Sequence, residues 1–132
     1  MNTKRILVSS GTKWEETVGY SRAVRVGNIV EVSGTTAVDG EKIIGEGDVY
    51  AQAKFIFIKI ENALNEAGTS IDNVVRTRMF VTDISRWEDA GKAHGEVFKN
   101  IKPVSSMVEV KSLIHPDLLI EIEATAIIPF ES

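Results

Sequence analysis

The chain alternates between the two-residue period of strands and the 3.6-residue period of helices, and the changes of period mark its elements. "RAVRV" and "IVEVSG" flank Gly27-Asn28, a pair that tolerates the positive φ of a tight hairpin turn. Asp39-Gly40 repeats the signal between "TTAV" and "EKII", so the chain is predicted to open with strands. From Asp48, the positions Val49, Ala53, Ile56, Ile60, Ala63, Leu64 and Ala67 fall at helical spacing, with Asp48 as N-cap and Gly68 as the stop. "VVRTRMFV", Val74 to Val81, is rich in β-branched residues and reads as a strand. Ser85 and Glu88 have the spacing of a capping box ahead of a second helix striped by Trp87, Ala90, Ala93, Val97 and Phe98. Pro103 closes that segment, and "SSMVEV" and "LLIEIEATAII" are the last two strands, joined by "KSLIHPD".

This order predicts an α+β fold with a single mixed sheet and both helices on one of its faces. Within the strands, Ile120, Ile122 and Ala124 oppose Glu121, Glu123 and Thr125, while Val75, Thr77, Met79 and Val81 oppose Arg76, Arg78 and Phe80. One sheet face is therefore apolar and the other carries charges of both signs. Such a face is either solvated or turned inward in an assembly that pairs Arg76 or Arg78 with Glu121 or Glu123, and periodicity leaves both open.

A length of 132 residues with 43% hydrophobic content fits one domain over 1–132, burying roughly two-thirds of its unfolded surface. The net charge of −4, with basic residues scattered, argues against a nucleic-acid partner. The absence of cysteine removes disulfides, thiolate nucleophiles and sulfur-ligated metals. Neither the "MNTKRILVSS" start nor the "FIFI" run, Phe55 to Ile58, has the apolar length of a signal peptide or membrane span. The expectation is a cytoplasmic chain with no membrane partner.

Recognisable chemistry is sparse. His94 and His115 sit on different elements without a ligand motif, so no metal is expected. The sequence has no phosphate loop, no G-x-G-x-x-G and no G-x-S-x-G. Glu121 and Glu123 are by default ion-pair members, although a carboxylate desolvated at an interface acquires a raised pKa and serves as acid or base. Tyr20 is by default an amphipathic surface residue, and Ser33-Gly34 a strand end.

Taken together, "GYSRAVRVGNIVEVSG", the helix from Asp48, "VVRTRMFVTDI", "PVSSMVEV" and "IEIEATAI" resemble the reactive intermediate deaminase family across nearly the whole chain. This is the RidA/YjgF group of endoribonuclease L-PSP-like proteins. The resemblance implies a chorismate-mutase-like fold, a homotrimer whose sheets form a central barrel, and ligand clefts between subunits. It favours the inward-facing reading of the charged face.

Deaminating members of the family hydrolyse enamines or imines to a keto acid and ammonia without a cofactor. By position, Tyr20 matches the cleft tyrosine, Ser33 and Gly34 the strand end that lines the cleft, and Glu121 the glutamate that positions water. The family's substrate-carboxylate arginine falls at Ser105, on the strand that Met107 to Val110 would aim into the cleft. An arginine–carboxylate fork supplies hydrogen bonds worth about 1.5 to 3 kcal/mol each, so its loss should weaken binding by roughly tenfold to more than a hundredfold. If "YSR" is extended, Arg22 lies on the side of Tyr20 and is the first candidate for a relocated anchor, with His94 and Lys111 behind it. A plain solvated charge is the alternative for Arg22.

Three functions follow as expectations. One is an imine deaminase with altered or weak activity, acting on an imine, enamine or keto-acid-like ligand or a neutral analogue. Another is a non-catalytic trimeric small-ligand-binding module. The ribonuclease role attached by name to some relatives fits least, because an acidic chain lacks both phosphate attraction and a histidine pair.

Overall fold

The computed structural model describes residues 4–130. In chain order the elements are β1 (Arg5–Val8), α1 (Lys13–Val18), β2 (Ala23–Val26), β3 (Ile29–Thr35), β4 (Val38–Asp39), β5 (Lys42–Ile43), α2 (Val49–Glu66), β6 (Val74–Val81), α3 (Trp87–Phe98), β7 (Val104–Glu109) and β8 (Ile120–Ile127). Six of the strands form one sheet in the order β1-β2-β3-β8-β6-β7, and β4 and β5 make a separate small ribbon. Neighbours in the sheet run antiparallel except β6 and β7, which are parallel and joined through α3. The expected mixed sheet with a helical layer is thus the observed architecture.

The long helix forms where its signals lie. Asp48 accepts a hydrogen bond from the Ala51 amide at 3.0 Å. Gly68 takes a φ of 89° beyond the last turn, and the Thr69 amide closes that end onto the Leu64 carbonyl. Every predicted stripe position of α2 is buried, against Val30, Val32, Ile120, Ile122 and Ala124 of the sheet. The fully buried Gln52 was not anticipated. Its amide nitrogen donates to the Asp117 carbonyl at 2.9 Å and its oxygen accepts from the Leu119 amide at 2.9 Å, tying the "KSLIHPD" loop to the helix. Those bonds offset the cost of burying an amide.

Several expectations need correcting. Val75 is exposed rather than buried, because a bulge between Val74 and Arg76 opposite β8 turns Val74 into the core in its place. Ser85 and Glu88 make no capping box. Instead the Asp83 carboxylate accepts from the Ser85 amide and hydroxyl, at 3.0 and 2.7 Å, and starts a 3₁₀ turn that feeds α3. That turn rotates Trp87 out of the apolar stripe, leaving it 55% exposed. The second hairpin turns on Gly40-Glu41, with Asp39 paired in β4. Finally, β1 and α1 were not predicted. Both are shorter than a periodicity window, and α1 is started by Glu15, which accepts from the Ser10 amide and hydroxyl.

Candidate active site in two halves

The first half lies where β3 ends. The register of β3 on β8 shifts from Val32↔Ala124 to Thr35↔Ile122, so Ser33 and Gly34 form a bulge beside the outward side chains of β8. The Ser33 hydroxyl donates to the Ser21 carbonyl at 2.6 Å, and Arg22 Nη2 donates to the Gly34 carbonyl at 2.8 Å. These bonds hold the segment before β2 against the bulge. The Arg22 guanidinium also lies 5.9 Å from the centre of the Tyr20 ring, a cation–π distance. Arg22 Nε is buried without a hydrogen-bond partner among the described residues.

Glu121 alternates with the buried Ile120 and Ile122 and so faces away from the helices, pressed onto the bulge. A Cβ built on Gly34 would overlap the Glu121 carboxylate and sit 2.9 Å from its carboxyl carbon. Glycine is needed there for space, since its φ is not in the left-handed region. Burial and the neighbouring Glu123 carboxylate push the Glu121 pKa above the ordinary carboxylate range, and Arg22 pulls against them. Glu123 is itself held by Arg78 at 2.7 Å. This pair spans β6 and β8 in register within one chain, so it does not need a neighbouring subunit. From α2, the Lys59 ammonium donates to the Thr36 and Val38 carbonyls at 2.9 Å each. Burial and the nearby Arg22 lower its pKa. A half-buried carboxyl of raised pKa near a cation is equipped for proton transfer.

The second half lies on β7, the edge strand. Ser105 pairs in register with Thr77 of β6, and Met107 with Met79. Thr77 is fully buried on the helix side of the sheet, its hydroxyl 2.8 Å from the Ser105 hydroxyl and 2.8 Å from His94 Nε2. The His94 ring lies against Phe98 and Phe57, with centroids 4.6 and 5.8 Å apart, and burial lowers its pKa. Ser105 is exposed, Met107 is partly packed on the core, and Lys111 is exposed beyond the end of β7.

The structure therefore brings Tyr20, Arg22, Ser33, Gly34 and Glu121 together and places Ser105 and Met107 elsewhere. Within one chain the two groups lie on opposite sides of the sheet. Of the cations considered for Ser105, Arg22 stands with Glu121, whereas His94 is joined to Ser105 through Thr77. The Thr77 link had no motif to announce it. Its one signal was a polar residue on the apolar side of a strand, which must find a partner when buried.

His115 lies on the loop before β8, where Nδ1 accepts from the Asp117 amide at 3.0 Å. Among the described residues no group of His, Asp and Glu is arranged to hold a metal ion. No helix among the described residues is long and apolar enough to cross a membrane.

With that geometry in place, the chain can be compared with known proteins. The family model described as Endoribonuclease L-PSP matches residues 4–128. An uncharacterized protein of Streptomyces coelicolor is 39% identical over 119 residues, covering 90% of this chain and 89% of that protein. A RutC family protein of Pyrococcus abyssi is 36% identical over 108 residues, covering 81% and 84%. Among solved structures, a member of the YjgF/YER057c/UK114 family from Mycobacterium tuberculosis matches with a TM-score of 0.88 at 50% identity, covering 95% of this chain and all of that one. A Rid family protein of unknown function from Yersinia pestis matches with a TM-score of 0.82 at 26% identity, covering 95% of this chain.

Proposed function

The chain belongs to the Endoribonuclease L-PSP family, the RidA/YjgF group, and on that premise we propose a Rid-type protein that hydrolyses imines or enamines in a cleft between subunits. The cleft forms in a homotrimer where the Tyr20–Arg22–Gly34–Glu121 end of one copy meets the Ser105 and Met107 edge of the next. No cofactor takes part. The ligand is an imine, an enamine or a keto-acid-like molecule, or a neutral analogue of one.

The observation that carries this reading is the Glu121 carboxyl, half-buried against Gly34 with its pKa raised. In the reaction, an enamine first tautomerises to its imine. Glu121 takes a proton from water as the water oxygen adds to the imine carbon, and the proton passes to the nitrogen. Collapse of the resulting carbinolamine expels ammonia and leaves the carbonyl product. The bulge at Ser33 and Gly34 lines the cleft beside Glu121.

Ser105 stands where the family's deaminating members carry the carboxylate-binding arginine, so activity on the usual 2-imino acids is weak. Arg22, with its unpaired buried Nε, is the cation left near Glu121 for an acidic group. The experiment generates 2-aminoacrylate or a branched-chain imine in situ and measures keto-acid release by the wild type and by Ser105→Arg. Wild-type release at least about tenfold below that of an arginine-bearing relative, with a gain in Ser105→Arg, is the expected result. Wild-type release equal to the relative's overturns the claim of weakened activity. Release from neither protein favours the second reading, a non-catalytic trimeric ligand-binding module, for which the observation is the uncharged serine itself. A ribonuclease function has the least support, since the net charge is −4 and the two histidines lie on separate elements.

A further inference from the structure

Ser105 is the exposed end of a three-member hydrogen-bonded chain that runs inward through Thr77 to His94. Each link measures 2.8 Å, short enough to be a hydrogen bond between hydroxyls or from hydroxyl to imidazole. Thr77 has one hydroxyl proton, and that proton serves only one neighbour at a time. The chain consequently has two polarities. In one, His94 Nε2–H donates to Thr77 and Thr77 donates to Ser105, whose own proton then points outward. In the other, Ser105 donates to Thr77, Thr77 donates to the Nε2 lone pair, and the Ser105 oxygen is left as an acceptor. Moving between them passes the Nε2 proton out through Thr77 and Ser105 while Nδ1 takes one from solvent, which exchanges the two neutral tautomers of His94 and changes no net charge.

A fixed arginine offers a ligand donors and a positive charge. This chain offers either a donor or an acceptor and no charge. Burial of His94 in a cluster with Phe57 and Phe98 favours the uncharged ring. We propose that Thr77 and His94 are positioning residues that make Ser105 a reversible hydrogen-bonding contact for an uncharged polar group, a carboxamide above all, in place of the carboxylate. A carboxamide carries one acceptor and a donor pair, and so can be met in either polarity. The inference rests on the cleft reading above and names the class of ligand that cleft takes.

The test uses the full chain and a matched pair of probes, 2-oxobutanoate and 2-oxobutanamide, titrated at equilibrium without turnover. The wild type should bind the amide about three- to tenfold more tightly than the acid, the worth of one neutral hydrogen bond. Thr77→Val, which keeps the shape and removes the hydroxyl, and Ser105→Ala, at an exposed position, should each bring the ratio to about one. Thr77→Ser should restore it. The ring nitrogen resonances of His94 should move on saturation of the wild type with the amide and stay in place in Ser105→Ala, a response that a purely structural histidine does not give. Preference for the acid, a ratio unchanged in Ser105→Ala, an unmoved His94 or no binding of either probe overturns the proposal. The catalytic reading fails by a different result, no keto-acid release from either the wild type or Ser105→Arg.

Discussion

The end of β3 and the edge strand β7 solve the same problem by different means. Both must present polar groups beside an apolar core. At the end of β3 the solution is charged: Glu121 and Arg22 meet at a backbone bulge, Lys59 holds the Thr36 and Val38 carbonyls just beyond it, and each has its pKa or hydrogen bonding tied to another group. At β7 the solution is neutral, two hydroxyls and an imidazole linked in line. Charges so close to a core are retained only where their partners are positioned with care, and a glycine is committed to that end. A neutral relay has no such requirement and tolerates an exposed, unconstrained terminus. The charged end is therefore suited to proton transfer and the neutral edge to recognition.

Glu121→Gln is the sharpest way to break this division. Keto-acid release should fall by at least about a hundredfold, the usual worth of a positioned acid–base group, while the amide-to-acid binding ratio set at Ser105 stays as in the wild type. Equal loss of both would mean that the two halves do not divide the labour. The same variant has a stability signature. Folding raises the Glu121 pKa above the ordinary carboxylate value of 4.5, so the contribution of this group is greatest below that value and is lost as pH rises through the folded pKa. At neutral pH, thermal melting of Glu121→Gln should match or exceed that of the wild type.

Gly34→Ala attacks the charged end through sterics alone. The added methyl must displace either the Glu121 carboxylate or the bulge, at a cost of about 1 to 3 kcal/mol, read as a lower melting temperature together with lost activity. Glu121→Ala in that background should recover part of the stability. Failure to recover it would place the strain in the backbone rather than in the carboxylate.

The smallest expected effect belongs to the neutral edge. Burial depresses the His94 pKa below the ordinary imidazole value of 6.5, so its contribution is present above that pH and is lost as pH falls through the folded pKa. Between pH 7 and pH 5 the wild type should lose more melting temperature than His94→Gln does. Parallel melting curves for the two proteins would show that the ring is solvated and that the relay is not held neutral.

Much of the fold was legible along the chain. The alternation in "IEIEAT" placed Glu121 and Glu123 away from the core, and every position assigned to the α2 stripe is buried, although Phe57 and Gln52 are buried beside it and were not assigned, because both segments are long and each period repeats several times. The misplacements have local causes. At Val75 a bulge broke the strand period, at Trp87 a 3₁₀ turn inserted before the helix, and β1 and α1 were too short for any period to register. The site residues were named singly from the resemblance and from their residue types. The resemblance assigned Tyr20, Ser33, Gly34 and Glu121 to one cleft, but the contact itself was not legible in the residues, since Gly34 and Glu121 are 87 positions apart in sequence and meet only through the pairing of β3 with β8.

By itself, the sequence determined most of the core-facing side of α2, the outward side of β8, both ends of α2, and that glycine and serine stand at 34 and 105. These are consequences of local periodicity and residue type, which survive any arrangement of the elements. Only the tertiary structure decided that Glu121 rests on Gly34 under the pull of Arg22, and that Ser105 reaches His94 through Thr77. Strand order and register set those contacts, and register depends on how the whole sheet closes over its core rather than on any segment within it.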